Sequence, residues 1–512
     1  MNPLPIAHVP AMPTCRATDA HRRHLLQALG ALSALSFAPW ARAERTDVRL
    51  GLPLEPPLLD PTRTPSASVG EMLYANLFEG LTILNAKGRV APRLATAWTL
   101  SDDRRQIDFK LRSDVVFHDG KPFTAQSAAW ALQRLINPES KNPQRAWFER
   151  VTSVQALGPG TLRLGLSAPD PFITYALAQP AAAMVHPDSA ATNGERPVGT
   201  GPFRFVRWDR GARVVLERSP TPWGKRPALA RVEFVFVQGR TEAEALLVEG
   251  SLDGLISATD RVQSFEGRPD LKVMRRQVEQ KVLVAINNAR PPFNDLRVRR
   301  ALSHAIRRDT FKAFYGEDQQ PAFIGSHFAP THPAYVNLVN RYPFDLKQAR
   351  ALLSAAGVKP GLKVPLATPP TRYGRIGSVS VAEDLENLGF QVDIQNLSWK
   401  EWLSQVFEKK DYSLSLISHI EPLDINIYAR DGYYFNYANA EFKKIWQQVM
   451  DAPTEADLNR LLGLAQRRIA EDAVNVFLFM VPQTHVFRST LRGMWLDSPM
   501  PATVLEDVVW DA

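Results

Sequence analysis

Few residue types able to do chemistry stand close together in this chain. His118, Asp119 and Gly120 set an imidazole beside a carboxylate, the kind of pair a general acid–base site uses. They fall in HDGKPFT, between a strand-like and a helix-like stretch, where Asp and Gly build a turn. The ten histidines are dispersed singly, at positions such as His186, His304, His327, His332 and His485, without the i, i+4 pairing that lets one helix hold a metal. There is no G-x-S-x-G elbow, no H-E-x-x-H helix and no phosphate-cradling glycine loop. The one cysteine, Cys15, lies ahead of an apolar N-terminal stretch and is expected to leave with it, so no thiol nucleophile, zinc site or disulfide is expected in the mature chain. These residues point to binding rather than catalysis, with no cofactor and no metal.

A binding surface needs elements to carry it, and from residue 48 onward strand-like and helix-like patterns alternate as they do in mixed α/β lobes. VRLGLP (48–53) predicts a short strand, and 66–80 a helix with Val69, Leu73, Asn76, Leu77 and Gly80 near helical spacing. In QIDFKL, Ile107, Phe109 and Leu111 alternate with polar residues, and Thr124 caps AQSAAWALQRLI. TLRLGL reads as another strand, and GTGPFRFVRWD as a turn entering one. VLVAIN (282–287) has the length of a buried strand, and Asp295 caps a helix over LRVRRALSHAIRRDTFKAFY. A helix from Asp345 stops at Gly357; strands at 363–367 and 390–396 enclose a Pro-rich loop and a helix at 377–388.

At 512 residues the chain exceeds what one core serves, so two or three lobes are expected. Arg22 and Arg23, the apolar stretch LLQALGALSALSFAPW and Ala41–Arg42–Ala43 follow the order of an export signal cut before Glu44. The arginine pair favours a twin-arginine-like route over the general secretory one. RVRR (297–300) lies on a helical pattern, where a solvated helix face accounts for it better than nucleic acid does. A soluble periplasmic monomer is expected.

Four segments resemble the family 5 extracellular solute-binding proteins, the group of periplasmic oligopeptide, dipeptide and nickel binders. They are LYANLFEGLTILNAKGRVAPRLATAWTLSDD (73–103), VVFHDGKPFTAQSAAWALQRL (115–135), VGTGPFRFVRWD (198–209) and INNARPPFNDLRVRRALSHAIRRD (286–309). The resemblance spans nearly the whole mature chain in the family's order. It implies an α/β fold like that of type II periplasmic binding proteins, with two lobes, a hinge and an inserted domain. One lobe would comprise 44–85, 196–282 and 481–512, the inserted domain 86–195 and the other lobe 283–480, with ligand held between the lobes. The implied function is the periplasmic substrate-binding component of an ABC importer, whose partners are a small-molecule ligand and the permease subunits of the inner membrane. An exported receptor that senses ligand without transport is the alternative, and a hydrolase on this scaffold a more distant one.

Peptide binders of this family hold the ligand's amino group with an Asp shortly before an acidic-Pro pair. That pair resembles Glu421 and Pro422 here, the Asp position falls on Ser418, and 412–420 contain no Asp at all. The amine anchor is therefore missing unless another acid substitutes; His419, Glu421, Asp424 and Glu55 are the candidates, the last because it falls where the oligopeptide binder has an acid near its ligand. Arg375 aligns with the arginine stretch that binds a ligand carboxylate in dipeptide binders, with Arg372 three residues before it, and a guanidinium suits that two-pronged role. Trp399 matches a pocket tryptophan, with core packing as the competing account. The histidine that follows the acidic-Pro pair in the nickel binder is replaced by Leu423, so nickel is not expected. The expected ligand is a small carboxylate-bearing organic molecule, such as a modified or N-blocked peptide, ahead of a free dipeptide.

Overall fold

Apolar runs separated by Gly and Pro turns produce a mixed α/β order in the computed structural model, which describes residues 45–257, 264–315, 320–420, 423–495 and 498–511. The first elements are strand β1 (Asp47–Leu52), helix α1 (Ala67–Leu73) and the hairpin of β2 (Thr82–Leu84) and β3 (Val90–Pro92). Next come β4 (Ala95–Leu100), β5 (Gln106–Leu111), α2 (Ala125–Ile136), β6 (Val151–Ala156) and β7 (Thr161–Leu166). Strands β4 to β7 form an antiparallel sheet in the order β4-β5-β7-β6. Thr124 opens α2 as the cap its position predicts, and the structure adds a capping box in which it exchanges side-chain and backbone hydrogen bonds with Ser127.

The chain then adds β8 (Phe203–Asp209), β9 (Arg213–Arg218), β10 (Arg231–Phe236) and β11 (Gly254–Leu255) around β1, followed by the long β12 (Leu271–Ile286). After it come α3 (Leu296–Ala305), β13 (Ala322–Phe323), α4 (Leu346–Ala355), β14 (Lys363–Thr368) and α5 (Arg372–Leu388). The last elements used below are β15 (Gln391–Asn396), β16 (Leu414–His419), α6 (Ala440–Met450), α7 (Glu455–Glu471) and β17 (Asn475–Arg488).

An 11-stranded sheet runs β15-β14-β16-β12-β17-β11-β1-β10-β9-β8, with β13 joined to β17. Its two long strands belong to both halves. Lys281 to Ile286 of β12 pair with β16, whereas Leu271 to Gln277 pair with the part of β17 that also meets β11. Register breaks between Gln277 and Lys281: opposite them stand Pro482 and Met480, so three residues of β12 face one of β17. Such a bulge bends a strand and re-aims its side chains. It falls where the two halves of the sheet meet.

Four predicted elements differ in extent, among them the helix expected over LRVRRALSHAIRRDTFKAFY, which ends at Ala305 and is followed by a 3-10 turn (Arg308–Phe311) and a single helical turn (Lys312–Tyr315). The helix expected over 66–80 ends at Leu73, because the buried Asn76 side chain leaves the helical course to donate to the Met72 and Thr503 carbonyls and accept from Leu505 N–H. The strand read as 282–287 begins eleven residues earlier, at Leu271. The helix read as 377–388 begins at Arg372, with Thr371 as its cap. His118 proves structural: Nε2 reaches the Gly201 carbonyl at 2.9 Å and Nδ1 accepts from Gly199 N–H at 3.3 Å, while Gly120 takes the positive φ of the turn. Among the described residues no helix is long and apolar enough to cross a membrane.

Candidate functional site

A cavity of about 830 Å³ opens beneath the bulge, within the size range of small-molecule sites. One wall comes from the β2–β3 hairpin, Trp98 of β4 and the Pro169–Tyr175 segment; the other comes from Thr331–Pro333, Leu423 and the first turns of α7. Phe172 and Tyr175 are fixed by stacking, Phe172 on Trp446 at 5.8 Å and 5°, Tyr175 on Trp147 at 5.8 Å and 20°. Arg104 closes the same side. Its Nη2 donates to the Asp451 carbonyl at 2.8 Å and Nη1 to that of Ala452, at the C-terminal end of α6, where unpaired carbonyls and the helix dipole favour a cation. Arg104→Ala is expected to raise the ligand dissociation rate about 5- to 30-fold, with association within about threefold of the parent. Stopped-flow kinetics would refute this if both rates stayed unchanged.

Glu279, on the bulge, lines the cavity at 7% exposure. Behind it lies a buried polar cluster centred on Asp424. Asp424 Oδ1 accepts from Lys281 Nζ at 3.3 Å and His327 Nε2 at 2.5 Å, and Oδ2 accepts from His419 Nδ1 at 3.1 Å. The β12–β16 register sets Lys281 directly opposite His419. Burial alone would raise the Asp424 carboxyl, but Lys281 and the two histidines outweigh it and hold it well below the carboxylate range. Burial pushes His327 down to about 4 and cavity-lining His332 down to about 3, so both are neutral at pH 7. Glu279 goes the other way: burial, reinforced by the Asp424 charge and only partly opposed by Lys281, pushes its carboxyl up to about 7.

With a cavity of this size lined by aromatic, cationic and carboxylate side chains, the arrangement is one for holding a solute. The family model for the bacterial extracellular solute-binding proteins, family 5, matches residues 89–436. The chain belongs to this family. Among relatives of this solute-binding protein, the nickel-binding periplasmic protein of Escherichia coli (strain K12) is 30% identical over 322 residues, covering 60% of this chain and 59% of the relative. Di/tripeptide-binding protein 2 of Pseudomonas aeruginosa (strain UCBPP-PA14) is 24% identical over 415 residues, 74% and 76% of the two chains. The chain thus spans less than two thirds of the first relative and about three quarters of the second. HbpA2 from Haemophilus parasuis superposes with a TM-score of 0.81 at 17% identity, over 91% of this chain and 100% of that one. The periplasmic binding protein AgaA in complex with agropinic acid, from A. tumefacien R10, does so with a TM-score of 0.76 at 20% identity, over 91% and 99%. Both share the two-lobed α/β fold of type II periplasmic binding proteins.

Of the residues singled out from sequence, Ser418, His419 and Asp424 come together and the others do not. Ser418 accepts from Gln280 Nε2 at 3.2 Å, tying β16 to the bulge. His419 faces inward, with Tyr434 Oη 2.9 Å from its Nε2. Leu423 lines the cavity, and Glu421 lies outside the described residues. Glu55 accepts from Trp208 Nε1 and Gly211 N–H, both at 2.9 Å, which pins it to the β8–β9 hairpin away from the cavity. Arg372 and Arg375 are exposed on the first turn of α5, Arg372 Nη2 donating to the Phe314 carbonyl at 2.9 Å. Trp399 is 46% exposed, edge-on to Trp402. None of these four lines the cavity. Sequence reading passed over Glu279 and Lys281; the signal was two charges immediately before the apolar run VLVAIN.

Proposed function

We propose that this solute-binding protein captures a small, peptide-like, carboxylate-bearing organic ligand in the 830 Å³ cavity and delivers it to the permease subunits of an ABC importer, as its periplasmic binding component. The observation that carries this reading is the placement of the cavity. It lies at the meeting of the sheet halves, under the break in β12, where closure about a hinge buries a ligand and opening releases it. In this reading 44–85, 196–282 and 481–512 form one lobe, 86–195 the inserted domain and 283–480 the other lobe, and residues 1–43 are removed on export. The ligand carboxylate is assigned to Lys87 and Arg89 at the cavity rim, not to Arg372 and Arg375 outside it. Nickel, which the Escherichia coli relative is named for binding, is not part of this reading, because Leu423 stands directly after the acidic-Pro pair, where the resemblance to the nickel binder calls for a histidine.

Native mass spectrometry of the protein purified from its own host is expected to show one retained small molecule, whose rebinding calorimetry then measures. Leu458→Trp, which fills the cavity from its half-exposed wall, should weaken that rebinding about tenfold or more, and Arg375→Glu should leave it within about twofold. Equal losses from both substitutions would place the ligand elsewhere.

A further inference from the structure

The floor of the cavity carries an unbalanced charge. Among the described residues of the cluster two carboxylates, Glu279 and Asp424, face one ammonium, Lys281. His327 and His332 add no charge at pH 7, and His419 is already engaged with Asp424 and Tyr434. Asp424 takes hydrogen bonds on both oxygens. Glu279 does not: Lys281 Nζ is 3.9 Å from its Oε2, beyond hydrogen-bond reach, and Oε2 is buried without any hydrogen-bond partner. An ionised carboxylate so placed is strongly disfavoured until a donor or a cation arrives.

The surroundings specify which partner fits. Tyr175 lines the same cavity as Glu279, and its hydroxyl is also buried without a hydrogen bond. Three aromatic rings, Trp98, Phe172 and Tyr175, line the cavity together with Glu279, and such ring faces attract cations, while Lys87, Arg89 and Arg104 line it too and suit the ligand's anionic end. The bulge is what brings the carboxylate here, because it inserts Glu279 where the ladder with β17 is interrupted.

We propose that Glu279 is the receptor for a cationic nitrogen of the ligand: a protonated amine seats against Oε2 at the cavity floor, flanked by the Tyr175 ring and hydroxyl. The acid that residues 412–420 lack is thereby supplied from another strand. This deepens the proposed function and rests on it, since it specifies the ligand as one carrying an amine as well as a carboxylate. A ligand without the amine leaves Glu279 to be buried protonated, and loses the charge-assisted bond.

The test uses the purified full chain, freed of retained ligand, and an equimolar mixture of di- and tripeptides with opine-type amino-acid conjugates, each present as the free amine and as its N-acetyl form. Native mass spectrometry reads which members are captured. The parent protein is expected to prefer free amines at least about tenfold, Glu279→Asp to keep most of that preference, and Glu279→Gln to take both forms within about twofold. Thermal unfolding of Glu279→Gln at or above the parent temperature at pH 8 verifies its fold. Capture by the parent without amine preference, or a preference that survives in Glu279→Gln, overturns the inference alone. Capture of no member by any of the three proteins overturns the proposed ligand class and the inference with it.

Discussion

Asp424→Asn is expected to lower the free energy of unfolding by about 3–5 kcal/mol, the range for breaking one side of a buried ion pair. Lys281 has no exposed surface, and its side chain emerges from the middle of an 11-stranded sheet. Asp424 answers that charge at 3.3 Å and simultaneously accepts from His327 and His419. Asparagine keeps one acceptor oxygen for these three donors and turns an amide N–H₂ toward one of them, while the ammonium loses the nearer of the two carboxylates described beside it. Urea denaturation of parent and variant at pH 7 measures the difference; a loss under about 1 kcal/mol, typical of an exposed pair, would show that the buried Lys281–Asp424 pair contributes no more than a solvent-exposed one. Lys281→Met in the Asp424→Asn background should recover much of the loss, because an apolar side chain of similar length needs no partner.

The same cluster shows where sequence reasoning reached and where it stopped. Helix starts were legible because a cap is a local event: Thr124, Asp295 and Asp345 each accept a hydrogen bond from a backbone N–H two or three residues on, and each does so as its spacing predicts. Strands with one wet face, such as QIDFKL and TLRLGL, were legible for a similar reason. β12 was not, beyond its apolar end. Its first part, LKVMRRQVEQK, carries charges that a pattern reads as solvent-facing, yet Arg276, Glu279 and Lys281 are buried. What makes that burial tolerable is remote, since Lys281 meets Asp424 143 positions further along the chain. The cavity poses the same difficulty, because Trp98, Tyr175, Glu279, His332 and Leu458 come from five separate stretches and share no motif. Arg372 and Arg375 illustrate the converse: local chemistry suited to a carboxylate stands on an exposed helical turn, because α5 begins earlier than its Pro-rich approach indicated.

Stability should also depend on Glu279 in a manner that runs against the usual behaviour of a carboxylate. Burial pushes its carboxyl from the ordinary 4.5 up to about 7, so the folded protein holds this proton more tightly than the unfolded chain does. Its contribution is therefore fully present below pH 4.5 and is lost as pH rises toward 7, at about 1.4 kcal/mol per pH unit, roughly 3 kcal/mol altogether, with no further change above 7. The groups facing it are Lys281 on its own strand, Asp424 with its two histidines behind, and Tyr175 across the cavity. Lys281 and Asp424 stay paired when Glu279 is replaced by Gln. The unfolding free energy of Glu279→Gln minus that of the parent should accordingly climb from near zero at pH 4.5 to roughly 3 kcal/mol at pH 8, as urea titrations across that range would show. Parallel pH curves for the two proteins would mean that Glu279 is ionised and solvated in the folded state. With a saturating amine ligand the parent should lose this slope, because the ligand's cation then takes the place of the proton.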